Sequence, residues 1–313
     1  MRPVATEPAE PMDTGVGAPP AASSADEDDA AAPSRSGRLR ALRRLWASPT
    51  NVIGLTLVAL TIIVALVGHV VAPYSPTLND YAATFQPPSP QHLFGTDEVG
   101  RDIFSRVLNG AGTALETIVV VVGIGAAFGT LVGLGSGYAG GWVDELLMRV
   151  TDIFLAFPVL VLAIAIAALL GPGLGHTMLA LVVLWWPWYA RLIRGQVLTL
   201  REREYIEAAR ALGVPALRVL WRHLLPNTLA PLLVQVSLDC GYALLTVSSL
   251  SFIGLGVQEP NPDWGLMVNN AQPYIRADWW TAAFPGLAIV LAVLGFNLFG
   301  DALGELQGRR RGH

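Results

Sequence analysis

Long apolar stretches separated by polar segments dominate the hydropathy pattern of the chain. A helix needs about 20 mostly apolar residues to cross roughly 30 Å of hydrocarbon. The stretches that meet this length are 52–72, 117–140, 153–170, 171–190, 228–253 and 279–300. The pattern therefore predicts an all-α membrane protein with six transmembrane helices.

Composition supports the same class. Apolar residues make up 53% of the chain and charged residues only 14%, and the mean hydropathy is +0.50. A soluble globular domain carries more charge and less apolar surface than this. A soluble domain is therefore excluded as the description of the whole chain.

The basic residues indicate the orientation in the membrane. All 20 are arginines, and all but Arg101, Arg106 and Arg276 lie in segments that the six-helix pattern puts on one side. Basic residues concentrate in cytoplasmic loops. We therefore expect both termini and the polar loop 192–227 to be cytoplasmic, with the helices embedded in a lipid bilayer.

The segments outside the core have distinct compositions. Residues 1–34 are acidic and rich in Ala and Pro, which predicts a disordered cytoplasmic tail. Residues 35–51 form a basic juxtamembrane segment, 52–72 a retained first helix, and 73–112 an extracytoplasmic loop. Residues 113–303 are predicted to form a five-helix core, followed by a basic cytoplasmic tail at 304–313.

The polar loop 192–227 has the pattern of two short helices. Apolar residues recur at Ile206, Ala209 and Leu212, which indicates one amphipathic helix. Gly213 then supplies a stop, and Pro215 suits the first turn of a second helix. The loop is therefore predicted to be a helix-turn-helix elbow.

Catalytic and nucleotide-binding patterns are missing from the sequence. Without lysine, a phosphate-binding GxxxxGK[ST] loop is impossible. Cys240 is the only cysteine, and the five histidines form no metal-binding pattern. We therefore expect no enzyme, no bound cofactor and no metal site. Gly129, Gly133 and Gly137 instead indicate a small-residue helix face that allows close helix packing.

Asp239 lies near the middle of the fifth apolar stretch, where an ionised carboxylate is costly. Two interpretations remain open. The side chain either lines a translocation path or hydrogen-bonds a neighbouring helix through Gln235 or Thr246. Aromatic residues typical of a membrane-interface belt are Trp185, Trp186, Trp188, Tyr189, Trp279 and Trp280.

The elbow carries an ordered motif. It consists of a Glu-Ala-Ala, a Gly four residues on and a Leu-Pro twelve residues beyond that Gly, at Glu207, Ala208, Ala209, Gly213, Leu225 and Pro226. The motif resembles the signature of permease subunits of binding-protein-dependent ABC importers. His223 departs from the pattern, because an aliphatic residue is commonest there.

Outward segments narrow the resemblance to the dipeptide, oligopeptide and nickel branch of that family. The segment 92–115 is similar to a loop of this branch at Gly95, Thr96, Asp97, Gly100, Arg101, Asp102, Ser105 and Arg106. The segments 250–268, 284–286 and 296–301 are similar as well. Together with the elbow, these segments cover most of the chain from about residue 35 onward.

The resemblance implies the type I ABC importer permease fold in a bacterial plasma membrane. It implies an ATP-driven importer of peptides or a related small solute, with the elbow as the coupling helix. The implied partners are a homologous second permease, two cytoplasmic ATPase subunits that use the ATP, and an extracytoplasmic solute-binding protein. No nucleic acid is expected.

Within the elbow, the resemblance gives the motif residues a role in contacting the ATPase. Ala208 and Ala209 are expected to form a flat, close-packing face. Glu207 would either pair with Arg210 at i+3 or contact the ATPase. A side chain in place of Gly213 would penalise a left-handed turn.

Besides the importer permease, two other classes of function are compatible with a chain of several apolar helices. A stand-alone secondary transporter would use Asp239 for proton coupling, and inverted repeats and broken helices would favour it. No internal repeat is evident in the sequence. An intramembrane hydrolase is disfavoured because no Ser/His or metal constellation is present.

Overall fold

The computed structural model describes residues 48–308. The helices are α1 Pro49–Val71, α2 Ile103–Ala139, α3 Gly141–Leu155, α4 Val159–Leu170, α5 Leu174–Arg201, α6 Glu204–Ala211, α7 Ala216–Val219, α8 Leu225–Phe252, α9 Trp264–Ala271 and α10 Trp280–Gly308. Within the described residues there is no β-strand, so the predicted all-α class is confirmed. The predicted tail 1–34 and parts of the predicted basic segments 35–51 and 304–313 lie outside the described residues.

Several helices are long and apolar enough to cross a membrane. In the described part of the chain these are α1, α2, the continuous rod Ala216–Phe252 and α10, and the bent pair α3–α4 would make a fifth. Helix α5 has 28 residues, about 42 Å, but its tryptophans and arginines lower its hydropathy. The six-helix count stays a prediction that this layout accommodates.

The third predicted helix is broken. The sequence pattern predicted one helix over 153–170, but α3 ends at Leu155 and α4 begins at Val159, with an 83° bend between them. Pro158 explains the break, because its ring disfavours helical geometry at Phe157 and removes a backbone donor. The predicted stretch 153–170 is therefore not one continuous helix, although the bent pair α3–α4 can still count as one span.

The second helix begins much earlier than the predicted Thr117. It starts at Ile103, within what was predicted to be the extracytoplasmic loop 73–112. The Asp102 carboxylate caps this end and accepts the Ser105 N–H at 2.7 Å. The first turns carry polar residues such as the fully buried Arg106, and a search for apolar runs cannot detect them.

Helices α2 and α5 pack closely along a glycine face. A Cβ on Gly129 would lie 2.7 Å from the Tyr189 Cβ, one on Gly133 2.5 Å from the Ala190 oxygen, and one on Gly137 2.8 Å from the Val197 Cβ. The predicted small-residue face is therefore confirmed. The paired positions increase together along both helices, so α2 and α5 run parallel.

Helix α10 closes the bundle against two neighbours. Gly54 and Leu57 of α1 meet Leu298 and Gly295, and Val234 and Leu238 of α8 meet Gly304 and Gly300. In both pairs the residue numbers fall on α10 as they rise on its neighbour, so α10 runs antiparallel to α1 and to α8. The elbow therefore lies at one end of the bundle, with the ends of α2 and α10, and the long loops lie at the other.

Candidate functional site

The elbow has the helix-turn-helix form predicted from the sequence. Helix α6 ends at a left-handed Gly213, whose φ is +74°. The Val214 N–H donates to the Ala209 oxygen at 3.1 Å and the Gly213 N–H to the Arg210 oxygen at 2.9 Å. This is the Schellman arrangement that glycine favours. Pro215 then stands directly before α7.

The second arm of the elbow continues into a membrane helix. Helix α7 passes through a π-helical turn, Leu220–Leu224, directly into α8. Pro226 lies just beyond this turn and cannot donate a backbone hydrogen bond, which is a common cause of local helix widening. The Asn227 amide nitrogen donates to the His223 oxygen at 2.6 Å and satisfies a carbonyl there. Leu225 and Pro226 of the motif therefore mark where the elbow becomes the rod.

The inner side of the elbow is anchored in the core. Ile206, Val219 and Leu224 are fully buried and belong to the same apolar cluster as Val197 of α5. Burial of each such side chain contributes about 1.5–3 kcal/mol. The elbow is therefore held firmly against the bundle.

The outer side of the elbow exposes large apolar side chains. Leu212 is 84% exposed, Leu217 66% and Trp221 51%. They lie on a polar segment beyond the apolar stretches, where large exposed apolar patches mark interaction sites. Of the three apolar positions that predicted this helix, Ile206 and Ala209 are buried, whereas Leu212 lies beyond the end of the helix at Ala211 and is exposed.

The motif residues divide between the two sides of α6. Ala209 is buried against its own chain and Ala208 is exposed, so the pair does not form one flat face as expected. Within residues 48–308 no ion pair joins Glu207 to Arg210. The Arg210 guanidinium lies over the Tyr138 ring instead, 4.7 Å from its centroid, and Glu207 is exposed.

Charged groups fix the ends of the helices beside the elbow. The Arg194 Nε and Nη2 donate to the two carboxylate oxygens of Asp144, both at 2.6 Å, and the Ser136 hydroxyl donates to the same carboxylate. The Arg201 Nη1 donates to the Gly137 oxygen at 3.1 Å. These bonds join α2, α3 and α5. Such bidentate pairs are stronger and more directional than single bonds.

The two outward motifs meet at the opposite end of the bundle. Arg101 donates to Asp97 at 2.7 Å and to Glu259. Arg106 donates to Glu259 at 3.3 Å and to the Pro76 oxygen at 2.7 Å. Both guanidinium groups are buried. A buried charge is costly unless it is paired and hydrogen-bonded, which explains why these loops carry acceptors for both arginines.

Further contacts explain other positions of the first outward motif. A side chain on Gly100, which has a φ of +80°, would overlap the Asp80 carbonyl oxygen. The Trp280 Nε1 donates to the Thr96 oxygen at 3.3 Å. Burial raises the pKa of the Glu98 carboxyl beside this network. The motif is therefore explained by a folded cap over the end of the bundle opposite the elbow.

Asp239 lies beside a cavity of about 300 Å³ within the helical region. The lining residues are Val159, Trp185, Trp188, Gln235, Asp239 and Tyr242. The Gln235 Nε2 donates to the Asp239 Oδ1 at 2.9 Å, whereas the Thr246 hydroxyl donates to the Tyr242 oxygen. Gln235 and Asp239 both belong to α8, so this bond lies within one helix and does not join a neighbouring helix as the packing interpretation expected. The cavity is the feature expected from the translocation-path interpretation.

The aromatic residues of α5 do not form a belt. Trp185, Trp186 and Tyr189 are buried in the bundle, and Trp188 lines the cavity. The belt prediction was therefore wrong for these residues. Gln235, Asp239 and Tyr242 are spaced i, i+4 and i+7, a spacing that places residues on one helix face. This spacing is the sequence signal that predicts their common position beside the cavity.

A helical membrane core, an elbow between two of its helices and a folded cap at the opposite end together define the permease subunit of a transporter. The chain belongs to the family described as binding-protein-dependent transport system inner membrane component, whose model matches residues 129–313. The model for the N-terminal transmembrane domain of oligopeptide transport permease C matches residues 39–88.

Curated relatives cover most of the chain. It is 42% identical over 290 residues to a probable D,D-dipeptide transport system permease protein of Escherichia coli strain K12, covering 92% of this chain and 97% of the relative. It is 41% identical over 263 residues to a dipeptide transport system permease protein of Alkalihalophilus pseudofirmus, covering 84% and 86%. A glutathione transport system permease protein of Escherichia coli O6:K15:H31 is 45% identical over 247 residues, covering 79% and 82%.

Family membership distinguishes the importer permease from the secondary transporter and the intramembrane hydrolase. The chain is a non-catalytic inner-membrane subunit of an ABC importer, and it works with an ATPase and a solute-binding protein. The break between α3 and α4 is a feature that also occurs in secondary transporters, but the chain is not a stand-alone carrier of that kind.

Proposed function

We propose that this chain carries short peptides through the inner membrane and that its elbow receives the mechanical input from the ATPase. The observation that carries this proposal is the exposed apolar face of Leu212, Leu217 and Trp221. Its opposite side is anchored in the bundle. A rigid element with an unpartnered apolar face on a polar segment suits docking to another protein.

The motif residues have distinct roles in this docking. Gly213 sets the angle between the two arms, Ala208 allows close approach, and the exposed Glu207 contacts a basic group of the ATPase. Arg210 does not serve Glu207, because it ties α6 to Tyr138 of α2. A push on the elbow is therefore passed to α2 through Arg210.

The second arm passes the same push to α8. Leu225 and Pro226 lie at the junction of the continuous rod Ala216–Phe252. Movement of α7 therefore displaces the helix that carries Asp239. The elbow and the cavity beside Asp239 are in this way mechanically linked.

The assembly contains this chain, a homologous second permease and two ATPase subunits. Both termini and the elbow face the cytoplasm, as the arginine distribution supports. The folded outer cap faces the solute-binding protein. ATP is used by the ATPase subunits, and this chain binds no cofactor.

Short peptides are the proposed substrate class. The relatives are described as permeases for dipeptides, D,D-dipeptides and glutathione. All three descriptions share a small molecule with amide bonds and at least one charged end. The sequence covered by these alignments includes the elbow and the helices beside the cavity.

The test is co-purification of the ATPase with two elbow variants, one that reverses a charge and one that adds a charged side chain at the turn. We expect Glu207→Arg and Gly213→Glu to insert normally but to lose the ATPase. Glu305→Arg is the matched control, because Glu305 is exposed on α10 at the same end of the bundle. Retention of the ATPase by both elbow variants would refute the coupling role.

A further inference from the structure

The cavity beside Asp239 combines one acid with an aromatic wall. Trp185, Trp188 and Tyr242 supply the wall, and Asp239 is the only formally charged residue among those that line the cavity. Trp188 and Tyr242 are each about half exposed. The cavity is therefore open on one side rather than sealed inside the bundle.

The carboxylate of Asp239 is only half satisfied. Oδ1 accepts the Gln235 amide at 2.9 Å, whereas Oδ2 is buried and has no hydrogen-bond partner within the described residues. The Tyr189 hydroxyl lies close enough to act as a hydrogen-bond partner of this carboxylate, although not with normal hydrogen-bond geometry. Buried polar atoms are usually hydrogen-bonded well. The carboxylate is therefore loosely satisfied by its own chain and can accept a further donor.

The backbone around the cavity is unusual in the same place. Val159, which lines the cavity, is the first residue of α4 after the 83° bend at Pro158. In transport proteins, irregular backbone at membrane depth occurs where it borders a cavity, and interrupted helices mark binding sites. The break is a second observation, independent of Asp239, that points to a ligand here.

The geometry points to a transient binding site for a primary ammonium group, and we infer that it holds the free amino terminus of the peptide during passage. This inference rests on the proposed function and names the end of the substrate that is recognised. An ammonium group has three N–H donors. The Asp239 carboxylate and the side-chain amide oxygen of Gln235 offer acceptors, and the aromatic rings of Trp188 and Tyr242 attract the cation.

The size of the site limits what it holds. A cavity of about 300 Å³ is at the small end of ligand pockets. It therefore suits one terminal residue and not a whole peptide. The absence of a basic residue among the lining residues argues against the carboxylate end of the peptide at this position.

The experiment uses the complete transporter in liposomes, with its binding protein, partner permease and ATPases. Uptake of a labelled alanine tripeptide and ATP hydrolysis are measured in the same vesicles. A second peptide with an acetylated amino group is offered at equal occupancy of the binding protein. Variants Asp239→Asn and Asp239→Glu are compared with Asp301→Asn, the same change at an exposed position of α10.

The wild type should transport the free-amine peptide at least tenfold faster than the acetylated one. Asp239→Asn should lower uptake of the free-amine peptide about ten- to hundredfold, the usual range for a lost hydrogen bond to a charged group. It should remove the difference between the two peptides and leave ATP hydrolysis unchanged. Asp239→Glu should restore part of the preference, and Asp301→Asn should match the wild type.

Other outcomes would overturn the inference. Equal loss of both peptides in Asp239→Asn would mean that the residue only supports packing, and unchanged uptake would mean that the site is not used. A wild type that distinguishes neither peptide would also overturn it while leaving the proposed function intact. Absence of ATP-driven uptake of any peptide by the wild type would instead overturn the proposed function, and the inference with it.

Discussion

The parallel contact between α2 and α5 allows a sharp test with two glycines that lie two residues apart. At Gly133, an added Cβ would lie 2.5 Å from the Ala190 oxygen and 2.9 Å from the Ile193 Cβ. At Gly135, on the same helix, no atom lies within 4 Å. Alanine substitution at the two positions therefore differs in packing alone.

The magnitude follows from this difference. Alanine is favoured over glycine inside a helix by about 0.5–1 kcal/mol, and both variants gain this equally. Only Gly133→Ala must also separate two backbones, because normal carbon contacts need about 3.5–4.0 Å. Such overpacking costs about 1–3 kcal/mol. We expect Gly133→Ala to be less stable than Gly135→Ala by that amount.

The assay is thermal unfolding of the purified transporter in detergent, followed by intrinsic fluorescence. A change of 1 kcal/mol shifts the melting temperature by about 2–4 °C for proteins of 150–250 residues. The two variants should therefore melt about 2–12 °C apart. Gly123→Ala, also in open space, is a second control. A Gly133→Ala protein that melts with or above the controls would refute the close parallel packing.

Further predictions concern orientation, mechanical coupling and the outer cap. The first test labels single cysteines in a protein that lacks the native Cys240. A cysteine in place of Leu212 should react only with reagents that enter the cytoplasm, whereas one in place of Leu78 should react with membrane-impermeant reagents. The reverse pattern would contradict the orientation. Tyr138→Leu should keep the ATPase bound but lower transport per ATP, because Arg210 loses a cation–π contact of about 0.5–2 kcal/mol; unchanged transport would contradict the link. Arg101→Met should destabilise the protein by about 3–5 kcal/mol, because it removes the closest basic partner of the buried Asp97 carboxylate; an unchanged melting temperature would contradict the role of the network.

Much of the bundle could be predicted from the sequence, because helix surfaces that face lipid must be apolar. Helices α1, α8 and α10 lie close to the predicted apolar stretches for this reason. The first turns of α2 escaped prediction because they are surrounded by protein. There the two Nη atoms of Arg106 donate to loops about 30 and 150 residues away, and nothing in the local pattern reveals such partners.

The elbow shows the same division at smaller scale. Gly213 and Pro215 predicted the turn correctly, because both act through local backbone geometry. The pairing of Glu207 with Arg210 was not found, since Tyr138 from another helix competes for the guanidinium. Tertiary packing determines which side chains pair, whereas the residues within a turn determine its backbone geometry.

The order of synthesis gives the α2–α5 contact a further consequence. Val197 leaves the ribosome 60 residues after its partner Gly137, which is about 3–12 s at typical rates of elongation. During that interval the glycine face of α2 has no helix to pack against, although α2 itself has been fully synthesised. Substitutions on this face are therefore expected to hinder assembly of the newly made chain as well as packing in the finished bundle.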